Sequence, residues 1–80
     1  MSLPDPDHTL DARQLMCPLP VLKARKRLLA LPLGSVLEVL ATDPAALIDM
    51  PHFCAEAGHE FLGSREIDGA TAYLIRRGSR

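Results

Sequence analysis

The sequence predicts an α+β fold: a two-layer α/β sandwich, β-α-β-α-β-β, with two helices on one face of a mixed four-stranded sheet. Three observations carry this expectation. A segment of helical period, Val21 to Leu29, stands between two runs that read as strands. Two helix-start signals, at Asp43 and Asp49, precede a segment that Gly58 closes. The pair Asp68-Gly69 then parts two further β-rich runs.

The elements follow in order. Met1 to Asp7 carries two prolines and two aspartates with no periodicity and reads as a flexible, solvated tail, so residues 1–7 are set apart from a single domain over 8–80. "HTLDA" alternates as a short first strand, and "RQLM" leads to Cys17. Beyond it, Val21, Leu22, Ala24, Leu28 and Leu29 fall at helical spacing with Lys23, Lys26 and Arg27 on the other side, which predicts a helix from Pro18 to Leu31. Arg25 falls inside the apolar arc and is read as a stem lying along the helix edge with its charge in water.

Pro32 and Gly34 end that helix, and "SVLEVLA" reads as a strand buried over most of its length. A strand, a helix and a strand make a β-α-β unit, so the first two strands are expected to be parallel. Asp43-Pro44 and Asp49 with Pro51 predict a short turn at Pro44 to Ile48 followed by a second helix at Met50 to Ala57. "HEFLGSREI", the turn and "ATAYLIRR" predict an antiparallel hairpin.

Composition narrows the function. Eighty residues allow one domain that buries only about 60% of its unfolded surface, and with no Trp, two Phe and one Tyr the core must be aliphatic. The same scarcity of rings leaves little on which bases could stack, and a net charge of -1 gives no global attraction to nucleic acid or membrane. The first ten residues have no secretory pattern and the longest apolar run is broken by Pro32 and Gly34, so a cytoplasmic protein with no membrane partner is expected. Cys17 and Cys54 form no C-x-x-C pair, so neither a disulfide framework nor a zinc knuckle is encoded, and both thiols are expected to be reduced.

Cys17 is the residue that carries chemistry. As a helix N-cap it would put Pro18 at N1 and Pro20 at N3, positions whose amides have no partner inside a helix, so neither proline breaks a bond. The thiol would then face the positive end of the helix dipole near the amides of Leu19 and Val21, a setting expected to lower its pKa. A fall from ~8.5 to ~7 raises the thiolate fraction at neutral pH about 15-fold. Each thiolate becomes roughly 5-fold less nucleophilic, which leaves a net gain in attack of only about 3-fold. The larger benefit is to departure: such a sulfur suits a cysteine that accepts a group and then releases it. The bland alternative is that Cys17 merely caps the helix, a task that Ser, Asp and Asn do better.

"LDARQLMCPLPVLKARKRL", then "VLEVLATDPAALIDMPHFCAEAGHEFL" and "YLIRR", resemble the TusA/SirA-like family of small sulfur carrier proteins over about His8 to Arg77. The family's Cys-Pro-x-Pro motif is matched by Cys17, Pro18, Leu19 and Pro20, its D-P-A segment by Asp43, Pro44 and Ala45, and its Asp-x-Pro element by Asp49 and Pro51. The resemblance implies that Cys17 receives sulfane sulfur from the persulfide of a cysteine desulfurase. It would hold that sulfur as its own persulfide and pass it to a reactive cysteine on an acceptor protein. It implies no cofactor beyond that transient persulfide, and a sulfurtransferase-like carrier rather than a stand-alone enzyme. In the family this relay supports 2-thiouridine formation in tRNA, and relatives serve sulfur oxidation or molybdenum-cofactor sulfur supply. This chain departs from the family pattern at two positions. Gln14 replaces a glycine common three residues before the motif cysteine, which argues against a positive-φ loop there. Leu19 replaces a glutamate common between the prolines, which makes the rim of the site more apolar.

The remaining polar residues carry weaker signals. Cys54 shares a helical face with Leu47, Met50 and Pro51 and reads as a small buried hydrophobe. His8, His52 and His59 have no metal-ligand spacing. Arg13, Lys23, Lys26 and Arg27 are candidate docking residues for a partner, against the ordinary reading of a solvated face. Arg76, Arg77 and Arg80, taken with the first helix, keep open a redox-sensing regulatory or RNA-binding module as the alternative function, although direct nucleic-acid contact is not the favoured expectation. A thiol redox enzyme ranks last, because no resolving cysteine is evident.

Overall fold

The computed structural model describes residues 3–78. Its elements are β1 (His8–Ala12), α1 (Leu19–Leu29), β2 (Val36–Ala41), α2 (Ala46–Ala57), β3 (Glu60–Ile67) and β4 (Ala70–Arg76), in the order the sequence predicts. The four strands form one mixed sheet ordered β1-β2-β4-β3. β1 and β2 are parallel, with His8 opposite Leu37 and Ala12 opposite Ala41. β4 runs antiparallel to both β2 and β3.

Period two decides which face is covered. Leu37, Val39 and Ala41 of β2 and Tyr73 and Ile75 of β4 share one face, and they form a single buried cluster with Ala24 and Leu28 of α1 and Met50 and Cys54 of α2. Both helices therefore lie on that face. The other face is not bare: Leu3 lies against Gly63, which pairs with Leu74 across the β3–β4 ladder, and Leu74 is fully buried. Glu38, on the central strand β2, is nearly buried there and is met by the Thr9 hydroxyl at 3.3 Å and the Arg65 guanidinium at 3.4 Å.

The β3–β4 turn has φ 46° at Asp68 and φ 79° at Gly69, both in the left-handed region that a tight two-residue hairpin requires.

Three boundaries differ from the sequence reading. The ordered chain does not begin at His8: the Asp7 amide donates to the Val36 carbonyl and the Val36 amide to the Asp7 carboxylate, each at 2.8 Å. α1 is Leu19–Leu29, not Pro18 to Leu31, because its end tightens: the Ala30 and Leu31 amides bond carbonyls three residues back. α2 is one helix, not a turn followed by a helix. The amides of Ala46, Leu47 and Ile48 bond back three residues to Asp43, Pro44 and Ala45, and Asp49 bonds back four to Ala45, so the turn winds directly into the helix. Pro51 removes only the bond to the Leu47 carbonyl, near the exposed start of the helix. Gly58, at φ 79°, closes it.

Candidate functional site around Cys17

The parallel strands β1 and β2 end side by side at Ala12 and Ala41, and the loops that follow them meet. In open α/β sheets the crevice beyond the carboxyl ends of parallel strands is the usual place for a site. Here the loops are stitched together by backbone donors: the Gln14 amide donates to the Thr42 hydroxyl at 3.0 Å, and the Cys17 amide to the Asp43 carboxylate. The other Asp43 oxygen accepts the Ala45 amide at 3.1 Å, so one side chain starts the turn into α2 and also holds the cysteine's backbone. Gln14 does take a positive φ, 71°, although it is not glycine, which corrects the expectation drawn from its identity. The bond to Thr42 anchors the loop in that conformation.

Cys17 is exposed, and its Sγ donates to Asp49 Oδ2 at 3.0 Å. Asp49 stands in the first turn of α2. The N-cap of α1 is Pro18, not Cys17, so the thiol lies one residue outside the helix and Pro20 is the second helical residue. The Leu19 amide is not free for the sulfur, since it donates to the Met16 carbonyl at 2.8 Å.

These facts overturn the expected fall in the thiol pKa. The Asp49 hydrogen bond raises it, with desolvation and the negative charges of Asp49 and Asp43 acting in the same direction. The partial charge at a helix end is weak at an exposed position, and a full carboxylate at hydrogen-bond distance outweighs it. Cys17 therefore rests as a protonated thiol beside a base.

The proline motif shapes the surroundings. Pro20 is fully buried and packs with Val21, Ala46 and Asp49 in the cleft between the helices, while Pro18 remains exposed. From the thiol, a groove of about 310 Å³ runs between α1 and α2 over Val21 and Phe53, walled by Asp49, His52 and Glu56. His52 and Glu56 pair at 2.9 Å. Met16 and Leu19, which flank the Cys17–Pro18 pair in the chain, and Leu47 and Ile48, just before Asp49, are exposed apolar side chains, in keeping with the apolar surroundings that Leu19 suggested.

The other residues singled out by the sequence separate clearly. Cys54 is buried with its thiol pushed up to about 11 by desolvation, so it offers no second reactive sulfur. Among the described residues no group of three His, Cys, Asp or Glu side chains is placed to hold a metal ion. His59 is more than the residue after a helix cap: it is nearly buried, its Nδ1 accepts the Gly78 amide at 2.9 Å, and its ring lies 5.6 Å from that of Phe53. Lys23, Lys26 and Arg27 line a separate groove, but Arg13 does not join them, because Asp11 holds its guanidinium at two points. Arg76 pairs with Glu60 and Arg77 turns to the Gly78 carbonyl, while Arg80 lies outside the described residues.

The protein-family model described as Sulfurtransferase TusA matches residues 8–77. The chain belongs to the TusA family. A sulfur carrier protein TusA of Pseudomonas entomophila is 48% identical over 71 residues, which cover 89% of each chain. Another, from Allochromatium vinosum, is 44% identical over 73 residues, covering 91% of this chain and 96% of that one. The crystal structure of a SirA-like protein from Desulfitobacterium hafniense superposes with a TM-score of 0.78 at 28% identity, over 90% of this chain and 99% of the other. In this TusA-family chain the residues that sequence reasoning left without a role in the site are Asp43, Asp49 and Thr42. The signal for them was present: Thr42 and Asp43 follow directly on the strand that pairs in parallel with the cysteine's own strand, and Asp49 falls in the first turn of the helix after it.

Proposed function

We propose that this chain is a sulfur carrier in which Cys17 takes sulfane sulfur from the persulfide of a cysteine desulfurase and passes it to a reactive cysteine on an acceptor protein. The observation that carries the reading is an exposed thiol donating to Asp49, in a chain whose family includes relatives named as sulfur carriers. The pathway most in keeping with the resemblance is 2-thiouridine formation in tRNA, with the relay working in the cytoplasm. Among the described residues no helix is long and apolar enough to cross a membrane, which is compatible with that setting.

The chemistry balances without an oxidant. In loading, Asp49 takes the Cys17 proton as Sγ attacks the outer sulfur of the donor persulfide. The donor S–S bond breaks, the donor cysteine leaves as thiolate, and the proton passes to it. In discharge, the acceptor thiol attacks the outer sulfur of the Cys17 persulfide as its proton passes to Asp49; the Cys17 S–S bond breaks, and Cys17 leaves with the electron pair and takes that proton from Asp49. Because the thiol rests protonated, the carboxylate has to remove the proton at the moment of attack, which is general-base assistance. Pro18 and Pro20 restrict the backbone around the cysteine, so a visiting sulfur meets a preset geometry.

Loading tests the proposal. The protein incubated with a cysteine desulfurase and cysteine should gain the mass of one sulfur atom. Cys17→Ser should abolish the gain and Cys54→Ala should keep it. An unmodified wild-type chain alongside a desulfurase shown to carry its own persulfide would sink the assignment.

A further inference from the structure

Away from the thiol, β1 offers a free edge. In the sheet order β1-β2-β4-β3, β1 pairs with β2 alone, so its outer backbone groups have no strand partner among the described residues. The opposite edge, β3, is interrupted by a bulge between Phe61 and Gly63, which discourages strand addition, whereas the β1 register is regular from His8 to Ala12. Beside this regular edge lies a groove of about 300 Å³ lined by Leu10 and Ala30 and by Lys23, Lys26 and Arg27 of α1. It shares no residue with the groove at Cys17. None of the three cations forms an ion pair with a described residue, and the nearest acid on the strand, Asp11, is occupied by Arg13.

We propose that this groove seats an extended acidic segment of a partner protein, which adds to β1 as a fifth strand and sets alternate carboxylates against Lys23, Lys26 and Arg27. Strand addition beside a helix supplies affinity through main-chain hydrogen bonds and specificity through alternate side chains. The spacings agree: alternate residues of an extended strand are about 6.7 Å apart, and Lys23 and Arg27 are separated by about 6 Å along the helix. The methylene stems of those acidic side chains rest on Leu10 and Ala30.

Charge selects the occupant. Three cations without partners call for carboxylates, and a second copy of this chain would bring its own three cations to the seat and be repelled. RNA would satisfy the charges, but it would leave the strand edge and the apolar floor unused and would find no aromatic ring in the lining. The seat is independent of sulfur transfer, so its test does not require the thiol chemistry.

A short synthetic peptide alternating glutamate with valine, titrated into the full chain, should shift the backbone amides of His8 to Ala12. It should bind at least about five-fold more weakly when salt is raised from about 50 to about 200 mM. K23E/K26E/R27E should weaken that binding about ten-fold or more and should admit the lysine–valine counterpart. The milder K23Q/K26Q should lose about half of the effect on a logarithmic scale, which guards against a reversal that disturbs the helix. No binding at millimolar peptide, binding that leaves the β1 amides unmoved, indifference to the charge reversal, tighter binding of an RNA hairpin to the same residues, or self-association through β1 would each overturn the proposal.

Discussion

Cys17 Sγ lies 3.0 Å from Asp49 Oδ2, a thiol donating to a carboxylate 32 residues further along the chain. The cysteine stands one residue outside the N-terminus of α1, where a helix end would ordinarily lower a thiol pKa, and the contact raises it instead. In the relay proposed above, such a contact would restrain the sulfur between encounters and take its proton when a donor persulfide arrives.

Asp49→Asn separates the two parts of that description. Removing the negative charge should let the thiol ionise more readily, so alkylation of Cys17 by iodoacetamide at neutral pH should rise several-fold. Sulfur transfer should slow, because the base that takes and returns the proton is lost. A variant that alkylates no faster than wild type would show that the carboxylate does not control the thiol.

Gln14 occupies a left-handed backbone position that glycine adopts without steric cost. The left-handed conformation costs a non-glycine residue about 1–2 kcal/mol, while glycine loses about 0.5–1 kcal/mol more to unfolded-state entropy. Gln14→Gly should therefore stabilise the fold by roughly 0.5 kcal/mol, and the backbone bond to Thr42 survives the change. Gln14→Val should destabilise it by more, since a β-branched side chain tolerates positive φ poorly. Urea denaturation of the three proteins measures both.

His59 makes stability depend on pH. Desolvation and, secondarily, the Arg77 charge depress its pKa, and Nδ1 must be unprotonated to accept the Gly78 amide. Below about pH 6.5 the unfolded chain takes up a proton that the folded chain refuses. The contribution of neutral His59 is therefore complete above that value and is lost as the pH falls through the depressed folded value. Melting temperatures between about pH 7.5 and 5 should fall in wild type and flatten in His59→Gln, over and above any common trend.

Thiol labelling should distinguish the two cysteines. Cys54 is 1% exposed and its thiol is pushed up to about 11, so a maleimide should modify the folded chain once, at Cys17. The second adduct should appear only in denaturant. Rapid double labelling of the native protein would mean that α2 opens readily.

Local chemistry alone made much of this molecule legible. The strand His8–Ala12, the turn at Asp68 and Gly69, the placement of Cys17 before a proline-guarded helix and the burial of Cys54 follow from period, turn residues and spacing, all of which act over a few neighbours. Tertiary structure decided what long-range contacts control. The loops after two parallel strands bring Asp43 and Asp49 to Cys17, and this reverses the direction of the thiol's pKa shift. Leu3 and Asp7 join the fold because β-sheet partners distant in sequence receive them. Periodicity reports which side of an element is apolar; which charge lies 3.0 Å from a sulfur depends on how two loops pack, and no local pattern encodes that.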